Sequence, residues 1–327
     1  MTDRTADRIL HLAAGDIDAL ALSPADVLAA LEAALRDAAS GGVVALPKQA
    51  LQLGPGHFFQ AMPVAGRAAG YAAVKWVAVV AANPARGLPG VRAQIALSAL
   101  DDGRPLATMA GDRLTALRTA AMSAAAAKRL ARADSATIAF IGCGIQARAH
   151  LAALRDVLPG LRAARVFGRG AASTAAFRDH VAAAGLAAAI APSAEAAVAG
   201  ADVVVSSVLA GAGMMPFVDG AWLAPGSFAA LVDRGAPWRP DSLRAIDLVA
   251  TDDRAQSQAL AADGKFAHPG PYLADLAQLA AGAVPGRRDP RQRALFVFAG
   301  LALADLAVAA LAFERAKVRG LGTWVAA

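Results

Sequence analysis

Apolar positions change their spacing several times along this chain, and each change predicts a different element. Residues 16–40, DIDALALSPADVLAALEAALRDAAS, carry apolar side chains at helical spacing, with Ser23 before Pro24 as a cap and first turn. Residues 43–100 have another texture. ALPKQALQLG, GHFFQAMPV, GYAAVKWVAVVA and VRAQIALSAL are short apolar runs separated by Gly and Pro. They predict a mostly antiparallel or mixed sheet, and DDG at 101–103 predicts a hairpin turn. TALRTAAMSAAAAKRLAR (115–132) is a helix by propensity.

From Asp134 strands and helices take turns. TIAFIG, AARVFG, AAIA, ADVVVSSV, GSFAALVD and AIDLVATD read as strands. IQARAHLAALRDVL, ASTAAFRDHVAAAG and SAEAAVAG read as the helices between the first of them. That alternation predicts βαβ units on a parallel sheet, hence an α/β fold. The tail FVFAGLALADLAVAALAFERAKVRG (296–320) reads as one long helix ending near Gly320. It is expected to leave the second domain and pack back on the first.

The first strand of the alternating region runs into Gly142-Cys143-Gly144-Ile145-Gln146-Ala147 and then a helix. Such a turn occurs often by chance. Between a strand and a helix it has the context a dinucleotide fingerprint requires. Gly142 allows the tight turn, and Gly144 lets backbone approach a pyrophosphate. Ala147 is small enough for close helix–strand packing, and the helix start, with Gln146 in its first turn, offers free N–H groups. The next strand ends in Gly168 and Arg169 rather than in an acid. A guanidinium there pairs with a ribose 2′-phosphate, which favours NADP(H), with NAD(H) possible. Ser206 and Ser207 end the strand ADVVVSS, at the crevice where coenzyme contacts are expected.

Bulk properties narrow the partners. The 327 residues suffice for about two domains. Hydrophobic residues make up 57 %, but the excess is largely alanine, so a mean hydropathy of +0.45 does not imply a membrane protein. No long charge-free apolar run is present. MTDRTADRIL has acids and no apolar core, so no secretory leader is expected there, and a cytoplasmic location follows by default. A single cysteine, Cys143, rules out an intramolecular disulfide and a cysteine metal cluster. The histidines His11, His57, His150, His180 and His268 show no metal spacing, and His150 is expected to be partly exposed. A net charge of +6 invites a nucleic-acid reading. The densest basic run, GRRDPRQR (286–293), is broken by Asp and Pro and lacks stacking aromatics, so the charge reads as a solvated surface.

The stretch GDRLTALRTAAMSAAAAKRLARADSATIAFIGCGIQARAH (111–150) closely resembles the ornithine cyclodeaminase/μ-crystallin family. So do Met62-Pro63, the lysine in AAVKWV and the distal FVFAGLALADLAVA. The resemblance covers nearly the whole chain. It implies a Rossmann-type doubly wound parallel sheet over 118–299, plus a second α+β domain for substrate binding and dimerisation over 1–117 and 300–327. It also implies NAD(P) dependence, a small amino- or imino-acid substrate and at least a homodimer.

By the same resemblance, Arg118 holds the substrate α-carboxylate and Lys75 lies beside it near the reacting carbon. Thr119 lies near the coenzyme. Lys48 stands where many members carry a second carboxylate-binding arginine, and keeps the charge without the fork. Gln60 replaces a Glu that cyclodeaminases carry shortly before Met62-Pro63, and Gly235 stands at the position of an amine-contacting Asp. Asp233, two residues earlier, is the candidate to replace that acid from a shifted loop. Phe298 replaces a small Ser and is expected to narrow the pocket. Asp305 matches an aspartate of the final helix, with support of the site and capping of a neighbour as its two readings.

These departures weaken cyclodeamination, which must handle two amines, and favour reduction of an existing imine such as Δ1-pyrroline-2-carboxylate. Amino-acid deamination, as in an ornithine cyclodeaminase or alanine dehydrogenase, is the alternative enzyme reading. A low-turnover NADP(H)-binding protein is the alternative of another class.

Overall fold

The computed structural model describes residues 8–209, 211 and 213–327. The segment MTDRTAD, which enters the expectation of no leader, lies outside the described residues. The path begins with β1 (Arg8–Leu12), α1 (Ala14–Ala19) and α2 (Pro24–Ala39). Six strands follow: β2 (Val43–Ala45), β3 (Gln49–Gly54), β4 (His57–Gly66), β5 (Tyr71–Val80), β6 (Val91–Ala99) and β7 (Pro105–Ala110). Then come α3 (Asp112–Leu130), β8 (Thr137–Ile141), α4 (Ile145–Val157), β9 (Ala163–Phe167), α5 (Ala171–Ala183) and β10 (Ala187–Ile190). Next are α6 (Ala194–Val198), β11 (Val203–Ser206), β12 (Phe228–Leu231), β13 (Leu248–Thr251), α7 (Arg254–Ala262) and β14 (Ala274–Asp275). The path closes with α8 (Leu276–Ala280), β15 (Ala294–Val297), α9 (Ala302–Arg319) and β16 (Thr323–Ala326).

Two compact units result. One runs to Arg118 and resumes at Leu301–Ala327; the other is Thr119–Gly300. Arg118 thus goes with the first unit and Gly300 with the second, whereas the sequence reading assigns them the other way round.

The first unit is built on a mixed sheet in the order β16-β1-β7-β6-β5-β4-β2, with β3 also on β4. β1 and β7 run parallel and the other pairs antiparallel. The DDG turn joins β6 to β7 with Gly103 at φ 76°, a conformation that suits glycine. The helix expected over 16–40 is two helices. Ala21, at φ 48°, breaks the run, and Ser23 and Asp26 then form a reciprocal cap with Pro24 at the first position of α2. α2 buries Val27, Leu28, Leu31 and Leu35, the stripe its helical spacing predicts. α9 packs on β4, β5, β6 and α2 and is apolar over most of its circumference, ending at Gly320 with φ 63°. Each fully buried leucine on it contributes roughly 1.5–3 kcal/mol.

The second unit carries an all-parallel sheet in the order β10-β9-β8-β11-β12-β15-β13-β14. The chain winds outward from β8 through β9 and β10, then restarts on the other side with β11. That reversal is the switch point of a doubly wound fold, beside which ligands bind at the carboxyl ends of strands. β11, β12, β13 and β15 are buried at every residue, as a parallel sheet covered on both faces requires. β15 corrects the sequence reading, which ran 296–320 together as helix. An apolar run buried on both faces shows no period, and Gly300 at φ 98° separates it from α9. Among the described residues no helix is long and apolar enough to cross a membrane, and no group of three or more His, Cys, Asp or Glu could hold a metal ion.

Candidate active site

The first unit brings charges into its interior. Along β5 the buried positions alternate, Ala73, Lys75 and Val77, so strand geometry turns Lys75 inward among apolar neighbours. Only 1 % of Lys75 is exposed. A buried ammonium is costly unless paired, and Asp305, in the first turn of α9, supplies the partner. Lys75 Nζ donates to Asp305 Oδ1 at 2.8 Å, and Arg118 Nε meets the same oxygen as an ion pair at 2.9 Å. Asp305 is 1 % exposed and Arg118 6 %, so all three charges are withdrawn from water. Two cations share one carboxylate, and the trio keeps one net positive charge.

Lys48, half-buried between β2 and β3, adds to that field. The Lys75 ammonium is pushed down to about 7, chiefly by burial and further by Arg118 and Lys48, with Asp305 opposing them. On the neighbouring strand Met62 lies opposite Lys75 and Gln60 opposite Val77. The half-buried Gln60 therefore shares the face of Lys75, one pair along. Lys48, Gln60, Lys75 and Arg118 thus belong to one unit, whereas the sequence reading put Arg118 in the other. Of its two readings, Asp305 meets Lys75 and Arg118 within the unit. A signal was available: an acid alone in the apolar first two-thirds of the helix, ALADLAVAALAF, must be buried, and a buried carboxylate needs cations.

In the second unit the glycine turn follows β8. Gly142 sits at φ 100°, and a Cβ there would come within 2.8 Å of the Ser207 carbonyl oxygen. Gly144 caps α4 at φ −88°, and a Cβ there would have nothing within 4 Å. Gly142 is therefore demanded by the fold. Gly144 is not, and leaves open space over the uncapped first turn of α4. Ala147 is fully buried in that helix. The Gln146 Oε1 and Ser207 Oγ atoms are buried and accept no hydrogen bond among the described residues. These features fit a dinucleotide: a cradle without side chains, unspent helix N–H groups and two polar side chains in waiting.

Other candidates have commitments. Ser206 is fully buried; its hydroxyl donates to Asp233 Oδ1 and accepts from Trp238 Nε1, both at 2.9 Å. Asp233 also accepts from the backbone of Val208 and Gly235, so it ties the end of β11 to the loop after β12. Burial pushes its carboxyl up to about 6 against those hydrogen bonds. Arg169 is exposed just past β9, and Thr119 is buried in α3 directly after Arg118. Phe298 is buried and stacks on Phe296 with ring centres 4.7 Å apart. His150 is a correction: it is fully buried, not partly exposed. Its Nδ1 faces the Gln146 carbonyl at 2.8 Å and its Nε2 the Ser123 hydroxyl at 3.0 Å. Burial pushes it down to about 4, so it is neutral, with Nδ1–H donating and Nε2 accepting.

The model of the ornithine cyclodeaminase/mu-crystallin family matches residues 10–320. The alanine dehydrogenase of Archaeoglobus fulgidus is 30 % identical over 92 % of this chain and 94 % of its own. The structure of Thermococcus litoralis Δ1-pyrroline-2-carboxylate reductase, in complex with NADH and L-proline, superposes with a TM-score of 0.87. It is 29 % identical and covers 96 % of this chain and 99 % of its own. An archaeal alanine dehydrogenase dimer with bound NAD gives the same TM-score and identity, over 97 % and 99 %.

Proposed function

Because the chain belongs to the ornithine cyclodeaminase/mu-crystallin family, we propose that it is an NAD(P)H-dependent reductase of a small α-imino acid, of the kind of Δ1-pyrroline-2-carboxylate. The observation that carries this reading is the buried trio of Lys75, Arg118 and Asp305, whose surplus positive charge calls for a small anion. Arg118 would clamp the substrate carboxylate, with Lys75 and Lys48 completing the charge. Such an anchor orients the imine and supplies much of the advantage of a prearranged reaction. Bound coenzyme would supply the hydride that the imine carbon accepts. The imine nitrogen then needs one proton, and Lys75, pushed down to about 7, holds a transferable one near neutral pH. Gly142, Gly144, Gln146, Ala147 and Ser207 form the coenzyme cradle, with Ser206 and Thr119 alongside.

For the coenzyme we favour NADP(H), because Arg169 stands where an acid would accept the 2′-hydroxyl of NAD(H). The similar structures hold NAD or NADH, so both coenzymes belong in the assay. Similarity to an alanine dehydrogenase supports a second reading, oxidative deamination of an amino acid at the same anchor. Asp233 speaks against cyclodeamination, since its oxygens already receive three donors. A homodimer is favoured by the exposed Val44, Leu46, Leu51 and Leu53 on one edge of the first unit, and by the dimeric relative.

The test is oxidation of NADPH or NADH with Δ1-pyrroline-2-carboxylate, in wild type and Arg118→Ala. We expect turnover in the first, and in the second at least a hundredfold loss of kcat/KM with coenzyme still bound. Coenzyme binding without turnover over a panel of imino acids would instead favour a binding protein. Full activity of Arg118→Ala would overturn the anchor.

A further inference from the structure

The acid of the buried trio does more than balance charge. Lys75 Nζ and Arg118 Nε converge on one oxygen, Asp305 Oδ1, at 2.8 and 2.9 Å. The second oxygen, Oδ2, is buried and accepts no hydrogen bond among the described residues. A carboxylate placed only to neutralise would spread two cations over two oxygens. Here a single atom is the common vertex of two side chains from different elements, β5 and α3. Resting on the reading of the site as a carboxylate anchor, we propose that Asp305 is its positioning residue: it sets the spacing of the Lys75 ammonium and the Arg118 guanidinium, and keeps the proton on Lys75 until a substrate carboxylate arrives.

The surroundings leave that task to Asp305. From β4 and β6 the residues opposite Lys75 are Met62 and Ile95, both apolar. The charged groups that act on it are Arg118, Lys48 and Asp305. Among the described residues two of these repel a proton and Asp305 retains it. Without that carboxylate Lys75 would rest neutral near pH 7, and a neutral amine neither attracts an anion nor gives a proton.

Lys75 can be watched directly. The chain has five lysines, so lysine labelled with 13C at Cε gives few signals, and Lys75→Met assigns the one sought. The ligand-free full-length protein is titrated by NMR. In Asp305→Asn the Lys75 midpoint should fall by about one unit or more, a tenfold weaker hold on its proton. In Asp305→Glu the midpoint should return towards wild type. Its longer carboxylate should move both cations, raising KM for the imino acid at least tenfold while coenzyme affinity is unchanged. An unchanged midpoint in Asp305→Asn overturns the proposal. Should that variant not fold, an unchanged KM in Asp305→Glu overturns it as well. A wild-type protein that reduces no imine, yet shows the shifted midpoint, sinks the functional reading alone.

Discussion

Gly142 and Gly144 stand two residues apart in one turn, and the structure assigns them opposite penalties for the same added methyl group. At Gly142 the backbone lies at φ 100°, which costs a residue with a Cβ about 1–3 kcal/mol. The methyl would also meet the Ser207 carbonyl oxygen at 2.8 Å, and backbone cannot swing aside as a flexible side chain does. Such overpacking adds about 1–3 kcal/mol. Gly142→Ala should therefore lose about 2–6 kcal/mol of stability, roughly 5–20 °C in melting temperature for a domain of this size. At Gly144 the angle is −88° and nothing lies within 4 Å, so Gly144→Ala should melt within a degree or two of wild type. Its methyl would instead occupy the approach of the pyrophosphate. An intrusion of about 1–3 kcal/mol weakens coenzyme binding by about 5- to 150-fold. Calorimetry and titration of nicotinamide fluorescence read the two quantities separately. A Gly144→Ala protein that melts normally and binds NADPH and NADH as wild type does would refute the claim that a dinucleotide crosses this turn.

Further outcomes follow from the same geometry. Arg169→Ser should weaken NADPH by about tenfold, one charge-assisted contact of about 1.4 kcal/mol, and leave NADH within twofold; equal effects on both would remove Arg169 from coenzyme choice. Because Lys75 loses its proton near 7, kcat/KM for imine reduction should be level below that pH and fall tenfold per unit above it, and Lys75→Met should abolish that limb. Ser123→Ala would leave the buried Nε2 of His150 without a donor and cost about 1–3 kcal/mol in thermal unfolding, with coenzyme affinity unchanged. The folded-state value of His150 lies below its unfolded value, so its contribution is present above pH 6.5 and lost as pH falls towards 4. His150→Gln should flatten the stability curve across that window.

What the sequence disclosed depended on how local the cause was. The Ser23–Pro24 start of α2, the hairpin turn at 101–103 and the glycine turn are fixed by neighbouring residues, and each was legible. β15 was absorbed into a helix because a segment buried on both faces carries no period. β1 and β16 are short and pair with each other across the length of the chain, so nothing local announces them. Lys75, Arg118 and Lys48 could be named from the resemblance, but the pairing of Asp305 with Lys75 could not, since it spans 230 residues. The burial of His150 depends likewise on Ser123, from a helix preceding its own.

That separation of 230 residues has a consequence for biosynthesis. Chains emerge from the ribosome at about 5–20 residues per second, so Lys75 is in the open for on the order of 10–50 s before Asp305 is made. Throughout that interval the sheet strands β4, β5 and β6 await α9 with an apolar surface bare. The first unit therefore closes only once α9 has been made, and its earliest-translated strands are among the last parts to set.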